Sequence, residues 1–298
     1  MTIIHKKFEF EPYLADHAKR VERGLRHVLR THTQGAPPKL REAMAYALFS
    51  GGKRIRPVLC LAACEAVGGR YQAAWFPALA VEILHAYTLV HDDLPCMDDD
   101  DFRRGKPTVH RKYGEAEAVL VGDALQALAF RLLCDVQKSE PVHHVAAALR
   151  VFGETTGANG VIGGQWEDVR FSKGIRRKIT KTKVAYIHQH KTAHLLKCAA
   201  WLGAQYGGGT PRQAKALGAY AEHLGLAFQI VDDLLDEPER KVKPKAEREM
   251  SCLDVWTDTE ARQEAERHTE MALKELRKTK GNTEPLRALV RYLLERRA

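Results

Sequence analysis

Residues 82–110 read EILHAYTLVHDDLPCMDDDDFRRGKPTVH. The first half is apolar with helical spacing, and the pattern begins upstream at Leu79 and continues through Ile83, Leu84, Tyr87 and Thr88. Recurrence at three and four residues predicts a buried helix. That helix ends on six aspartates, Asp92, Asp93 and Asp98 to Asp101, followed within five residues by Arg103, Arg104 and Lys106. Isolated carboxylates at the end of a buried segment are costly, so a cation is expected beside them. A second stretch, LAFQIVDDLLD at residues 226–236, repeats the arrangement about 140 residues later with Asp232, Asp233 and Asp236. Asp232 and Asp236 are four residues apart and share a helical face. Carboxylates are hard oxygen donors suited to Mg²⁺, which is commonly held by one or two carboxylates together with substrate phosphates. The two clusters therefore point to a metal-diphosphate site.

Helical periodicity extends through most of the chain and alternating strand patterns are nearly absent, so the predicted fold class is all-α. Breaks are expected at Gly35 to Pro38, Gly68-Gly69, Pro95, Gly105 to Pro107, Pro141, Gly207 to Pro211, Pro238, Pro244 and Gly281. The charged, proline-containing stretch 237–249 reads as an exposed loop, and 258–298 as amphipathic helices. With 298 residues and 45% hydrophobic composition, the chain can form one large domain spanning 1–298.

The net charge is +9, and the first 60 residues carry 12 Lys and Arg against 5 Asp and Glu. No zinc-finger spacing or aromatic-interleaved basic patch accompanies this excess, so a phosphorylated small molecule explains it better than nucleic acid. The start of the chain, MTIIHKKFEFEPY, shows no signal-peptide pattern, and no uncharged apolar run reaches 18 residues. A cytoplasmic protein without an integral membrane segment is expected. The six cysteines are scattered without CxxC pairs, and Cys60 and Cys64 share a helical face suited to core packing.

Three further elements bear on the site. SGGKRIRP at 50–57 places Lys53, Arg54 and Arg56 after Gly51 and Gly52, where backbone and side chains can approach an anion. In GGQWEDV, Gln165 and Asp168 lie one helical turn apart. HQHKTAHLL at 188–196 is densely polar, and His190 and His194 have the spacing of zinc ligands but no third ligand nearby in sequence.

These five motifs, in this order from about Ala43 to Asp236, resemble those of the trans-isoprenyl diphosphate synthases. The similarity is greatest to bacterial farnesyl and to bacterial or plant geranylgeranyl diphosphate synthases. The resemblance implies a single large helical bundle of the isoprenoid synthase type with a central cavity, acting as a homodimer. It implies that Gly52, Lys53, Arg56 and His85, assisted by Arg104, hold isopentenyl diphosphate. Arg103, Lys191, Thr192 and Gln229 would contact the allylic diphosphate. Asp92, Asp93 and Asp98 together with Asp232, Asp233 and Asp236 would hold three Mg²⁺ ions, and Asp92, Asp93, Asp98, Asp232 and Asp233 with Lys191 would form the catalytic set. Tyr87, five residues before Asp92, and Thr88 would limit product length. A large side chain at 87, with Pro95-Cys96 inserted in the aspartate motif, implies a C15 product, whereas DDLPCMD also resembles plant geranylgeranyl enzymes.

One departure stands out. The family continues beyond its second aspartate motif with a lid carrying a phosphate-binding lysine, and residues 237–253 read EPERKVKPKAEREMSCL instead. Aligned on the downstream Ala-Arg pair, Glu249 falls where the lysine belongs, leaving Lys241, Lys243 or Lys245 as substitutes. A weakly active or regulatory synthase subunit, and a terpene cyclase or head-to-head condensing enzyme, are the competing expectations. Lys53, Arg56 and His85 favour a second diphosphate site that a cyclase does not need.

Overall fold

The structure, a computed structural model, describes residues 8–135, 142–172, 179–242, 250–279 and 281–294. Thirteen α-helices are seen among them, running α1 (Phe10–His32), α2 (Pro38–Leu48), α3 (Ile55–Ala66), α4 (Trp75–Asp92), α5 (Val109–Tyr113), α6 (Glu115–Cys134), α7 (Val142–Thr156), α8 (Val161–Ser172), α9 (Lys181–Ile187), α10 (His194–Tyr206), α11 (Pro211–Val242), α12 (Asp258–Leu276) and α13 (Glu284–Leu294). A single π-turn, His188–Ala193, joins α9 to α10. The only β-structure among the described residues is a two-stranded hairpin, β1 (Phe102–Arg103) with β2 (Lys106–Pro107), whose turn uses Arg104 and Gly105 at positive φ. The all-α expectation is met.

Helix α4 is the hub. Pro77 to Leu84 are all buried, as a helix apolar on every side must be. It packs extensively on α6 and also on α3, while α10 lies against α3 and α11, and α11 against α12. The segment Tyr71–Asp92 is long and apolar enough by composition to cross a membrane, yet 67% of that window is buried in this bundle. Cys60 and Cys64 are buried free thiols, as their spacing predicts.

Small residues allow α8, the π-turn and α11 to meet closely. A Cβ at Gly164 would lie 2.5 Å from the backbone N of Lys191, and one at Gly225 would lie 2.7 Å from the Cα of Ala193. The π-turn is thus gripped from two sides. Turns of this kind widen a helix by one residue and tend to occur at functional sites; here the turn carries Lys191 and Thr192.

The predicted break at Pro238 does not occur. Helix α11 runs through it to Val242, so residues 237–242 are helix and not exposed loop. Pro238 removes one backbone hydrogen bond, while ion pairs from Glu237 to Arg240 (3.0 Å) and to Lys241 (3.4 Å) brace the added turn. Lys243, Lys245 and Glu249 lie outside the described residues.

Candidate active site

Helix α4 delivers Asp92 and Asp93 at its C-terminal end, where the helix dipole already places partial negative charge. Cations answer this. Arg103 donates to Asp93 Oδ1 at 2.5 Å and to Asp100 Oδ2 at 2.8 Å. Lys191 reaches across from the π-turn, 2.6 Å from Asp168 Oδ2 on α8 and 4.0 Å from Asp98 Oδ2. Burial would depress the Lys191 ammonium, but Asp168, Asp92 and Asp98 hold its pKa above the ordinary lysine value. Even so, burial, with Asp98 and Asp93 nearby, pushes the Asp92 carboxyl up to about 7. The carboxylate wall remains short of positive charge.

The facing wall is α11. Thr192 donates to Gln229 Oε1 at 2.7 Å, and Gln229 Nε2 donates to Asp233 Oδ1 at 3.0 Å. The backbone N–H of Cys252 donates to Asp233 Oδ2 at 2.6 Å, with His188 Nε2 3.2 Å from the same oxygen. Burial raises the Asp233 carboxyl, but His188 and the Cys252 N–H outweigh it and the pKa falls below the ordinary value. Both oxygens of Asp233 are thus engaged by protein donors. Asp168, Lys191, Thr192, Gln229, Asp233 and Asp236 line one cavity of about 290 Å³ together with Arg240, Met250 and Ser251.

Beside it lies a second cavity of about 570 Å³, lined by Gly51, Gly52, Lys53, Arg56, His85 and Arg104 among others. Its chemistry is complementary. Arg56 Nη1 is 3.1 Å from His85 Nε2, and burial with the adjacent Arg56 and Arg104 keeps the His85 pKa well below the usual range. Arg104 lies over Gly52, donating to the carbonyl of Gly51, and a Cβ on Gly52 would fall 2.5 Å from its Nη1. Lys53 sits 5.3 Å from the ring centre of Tyr292 on α13. Cations crowded in this way without enough acids are suited to an anion. Consecutive arginines point to different partners: Arg103 bonds Asp93 and Asp100, and Arg104 bonds the glycine loop.

The sequence motifs are therefore brought together, with three amendments. Arg54 lines the anion cavity but is buried there, its guanidinium already bonded to Glu82 and to the carbonyl of Leu48. Tyr87 is buried with its ring edge-on to His91 at 5.0 Å, while Thr88 bonds to the carbonyl of His85. His190 stacks on Tyr186 at 3.8 Å, and the His194 ring lies tilted against His190 at 4.3 Å. Asp168 as the partner of Lys191, His188 and the Cys252 N–H on Asp233, and Arg240 in the cavity wall escaped the sequence reading. Only the four-residue step from Asp236 to Arg240 signalled the last of these.

Among the described residues, no group of three or more His, Cys, Asp or Glu side chains is arranged to hold a metal alone. Mg²⁺ usually leaves several of its positions to water and phosphate. The hard oxygen donors of both walls, and the under-neutralised Asp92, fit such an ion.

An all-helical bundle with carboxylate walls beside a cationic cradle defines a class of diphosphate-handling proteins. Residues 37–275 match the sequence profile described as Polyprenyl synthetase, and the chain belongs to that family. It is 44% identical over 231 residues to the heterodimeric geranylgeranyl pyrophosphate synthase large subunit 2 of Arabidopsis thaliana, covering 77% of this chain and 60% of that protein. It is 38% identical over 299 residues to a dimethylallyltranstransferase of Fischerella ambigua (strain UTEX 1903), covering 97% of this chain and 84% of the other. The crystal structure of a geranyltransferase from Legionella pneumophila superposes with a TM-score of 0.85 at 31% identity, covering 96% of each chain.

Proposed function

We propose that this protein is an Mg²⁺-dependent prenyltransferase that condenses isopentenyl diphosphate head-to-tail with dimethylallyl and geranyl diphosphate, ending at farnesyl diphosphate. The observation that carries this is the pairing of two cavities, one lined by Asp168, Asp233 and Asp236 with Lys191, the other by Lys53, Arg56, His85 and Arg104. A single-substrate cyclase has no use for the second, cationic cavity.

In this reading Gly52, Lys53, Arg56, His85 and Arg104 hold the diphosphate of isopentenyl diphosphate. Lys191, Thr192, Gln229 and Arg103 orient the allylic diphosphate. Asp92, Asp93 and Asp98 on one wall and Asp232 and Asp236 on the other hold the metal, which when bound neutralises charge developing on the departing diphosphate. Asp233, which orients Gln229 and the 251–254 turn, would hold the metal together with those aspartates. The allylic C–O bond breaks, the isopentenyl double bond attacks the resulting carbocation, and a proton leaves to the released diphosphate. The surrounding apolar helices keep water from the cation.

Tyr87, large and buried five residues before Asp92, supports the C15 product. A C20 product is the second reading, favoured by the geranylgeranyl synthase names of the plant relatives. Val119 and Leu120, 41% and 59% exposed on α6, support a homodimer closed through that helix. The purified protein should be incubated with Mg²⁺, isopentenyl diphosphate and geranyl diphosphate. A C15 diphosphate supports the proposal, C20 selects the second reading, and a hydrocarbon or no product refutes it.

A further inference from the structure

The wall of the diphosphate cavity contributed by residues 250 and 251 carries no charge, since Met250 and Ser251 occupy it. Among the described residues, Arg240 on α11 joins Lys191 as a cation lining this cavity. Asp232, Asp236 and Arg240 recur at four-residue steps along one face of that helix, and Arg240 lines the same cavity as Asp236 and Lys191. Its side chain is 13% exposed, with Nη1 3.0 Å from Glu237 and Nη2 in close contact with Asp254. Asp254 also accepts from the backbone N–H of Ser251 at 3.0 Å. The turn that braces Arg240 therefore also supplies the Cys252 N–H to Asp233.

Lys241, the neighbouring candidate, is placed differently. Its side chain is 67% exposed, lies 3.4 Å from Glu237 and does not line the cavity. A guanidinium presents a planar fork of donors that matches phosphate oxygens.

We propose that Arg240 binds the allylic diphosphate, supplying from the end of α11 the positive charge that Met250 and Ser251 lack. This rests on the prenyltransferase reading above. The alternative role for Arg240 is a strut that only ties α11 to the 251–254 turn. The two differ in what Asp254 does. A strut needs the acid as much as the arginine, whereas a ligand-binding arginine competes for its fork with that acid.

The test compares Arg240→Gln, Arg240→Lys, Asp254→Asn and Lys241→Gln. For each, KM for geranyl and for isopentenyl diphosphate is measured, with the thermal midpoint and, by calorimetry, binding of inorganic diphosphate in Mg²⁺. Arg240→Gln should raise KM for geranyl diphosphate and weaken diphosphate binding about tenfold or more, the weight of a charge-assisted hydrogen bond. KM for isopentenyl diphosphate should stay within about twofold. Arg240→Lys should recover part of the loss, Lys241→Gln should match wild type, and Asp254→Asn should bind diphosphate at least as tightly as wild type. The proposal is overturned if Asp254→Asn reproduces Arg240→Gln, if both KM values rise together, or if Arg240→Gln binds diphosphate normally. Wild-type protein that binds diphosphate but forms no prenyl product would instead refute the proposed reaction and leave the role of Arg240 to be decided by calorimetry.

Discussion

Arg54 donates to Glu82 Oε1 at 2.7 Å, joining side chains that are only 3% and 5% exposed. The arginine backbone is left-handed, with φ of 55°, and its guanidinium also reaches the last carbonyl of α2 and, at 3.4 Å, Glu22 of α1. One residue therefore starts α3 in a strained conformation and is held there by three other helices. It lines the anion cavity beside Lys53 and Arg56 with its own guanidinium already engaged. Removing one partner of a buried pair strands the other charge at a cost of about 3 to 5 kcal/mol. Glu82→Ala should lower unfolding stability by that amount in a denaturant titration, and Arg54→Met with Glu82→Leu should recover much of it. A Glu82→Ala protein as stable as wild type would show that the pair does not hold the loop.

Gly164 should be intolerant of a methyl group. Its Cβ would meet the backbone of Lys191 and, at 2.9 Å, that of His190, and backbone cannot step aside as a flexible side chain can. Displacing the π-turn moves Lys191 and Thr192 together. Misplacement by about 1 Å can reduce turnover about a hundredfold, so Gly164→Ala should lose at least tenfold in kcat while its circular dichroism stays helical. Gly35, with nothing within 4 Å of a built Cβ, is the control and should tolerate alanine.

The helices and the two aspartate walls were legible because burial imposes a period on apolar residues and because carboxylates at the ends of such segments demand a partner. What escaped depended on distant contacts or on backbone angles. Arg54 looks like its neighbours in GGKRIRP, and nothing in the letters reveals the left-handed φ that turns it toward Glu82. Asp233 looks equivalent to Asp232 until Cys252, 19 positions away, is seen to donate to it. Arg240 was hidden by Pro238, whose usual meaning as a helix breaker is overridden by the ion pairs around Glu237.

Tyr87 packs against the His91 ring, which is fixed against α6 by the carbonyl of Val119 at 3.0 Å and by the close approach of Gly122. Removing an aromatic side chain this well buried leaves space that the fixed histidine cannot fill. Tyr87→Ala should lengthen the main product by at least one C5 unit, read by chromatography of the dephosphorylated alcohols, at a stability cost of about 3 kcal/mol. Thr88→Ala removes less volume and should shift the distribution less. Unchanged product length in Tyr87→Ala would remove Tyr87 from chain-length control.

A pH dependence of stability should originate at His223 on α11 and His268 on α12, whose Nδ1 atoms are 3.0 Å apart and so share one proton. Burial lowers both, and Arg267, 3.1 Å from His268 Nε2, with His223 beside it, helps bring His268 down to about 4 despite Glu264 at 3.6 Å and the field of Glu222. Lys197 adds to the depression of His223, while Glu222 and Glu275 oppose it. The unfolded chain, with histidines near the ordinary value of about 6.5, binds more protons than the folded one as pH falls below it. Stability from this pair is therefore complete above about pH 6.5 and is lost progressively toward pH 4. Because the His223 ring is partly exposed, solvent screening reduces the effect to about 1 to 2 kcal/mol. Subtracting the unfolding curves of His268→Gln from those of wild type at each pH cancels the opposing titration of Asp92. The difference should fall between pH 6.5 and 4; a difference that stays constant would place the acid sensitivity of the fold elsewhere.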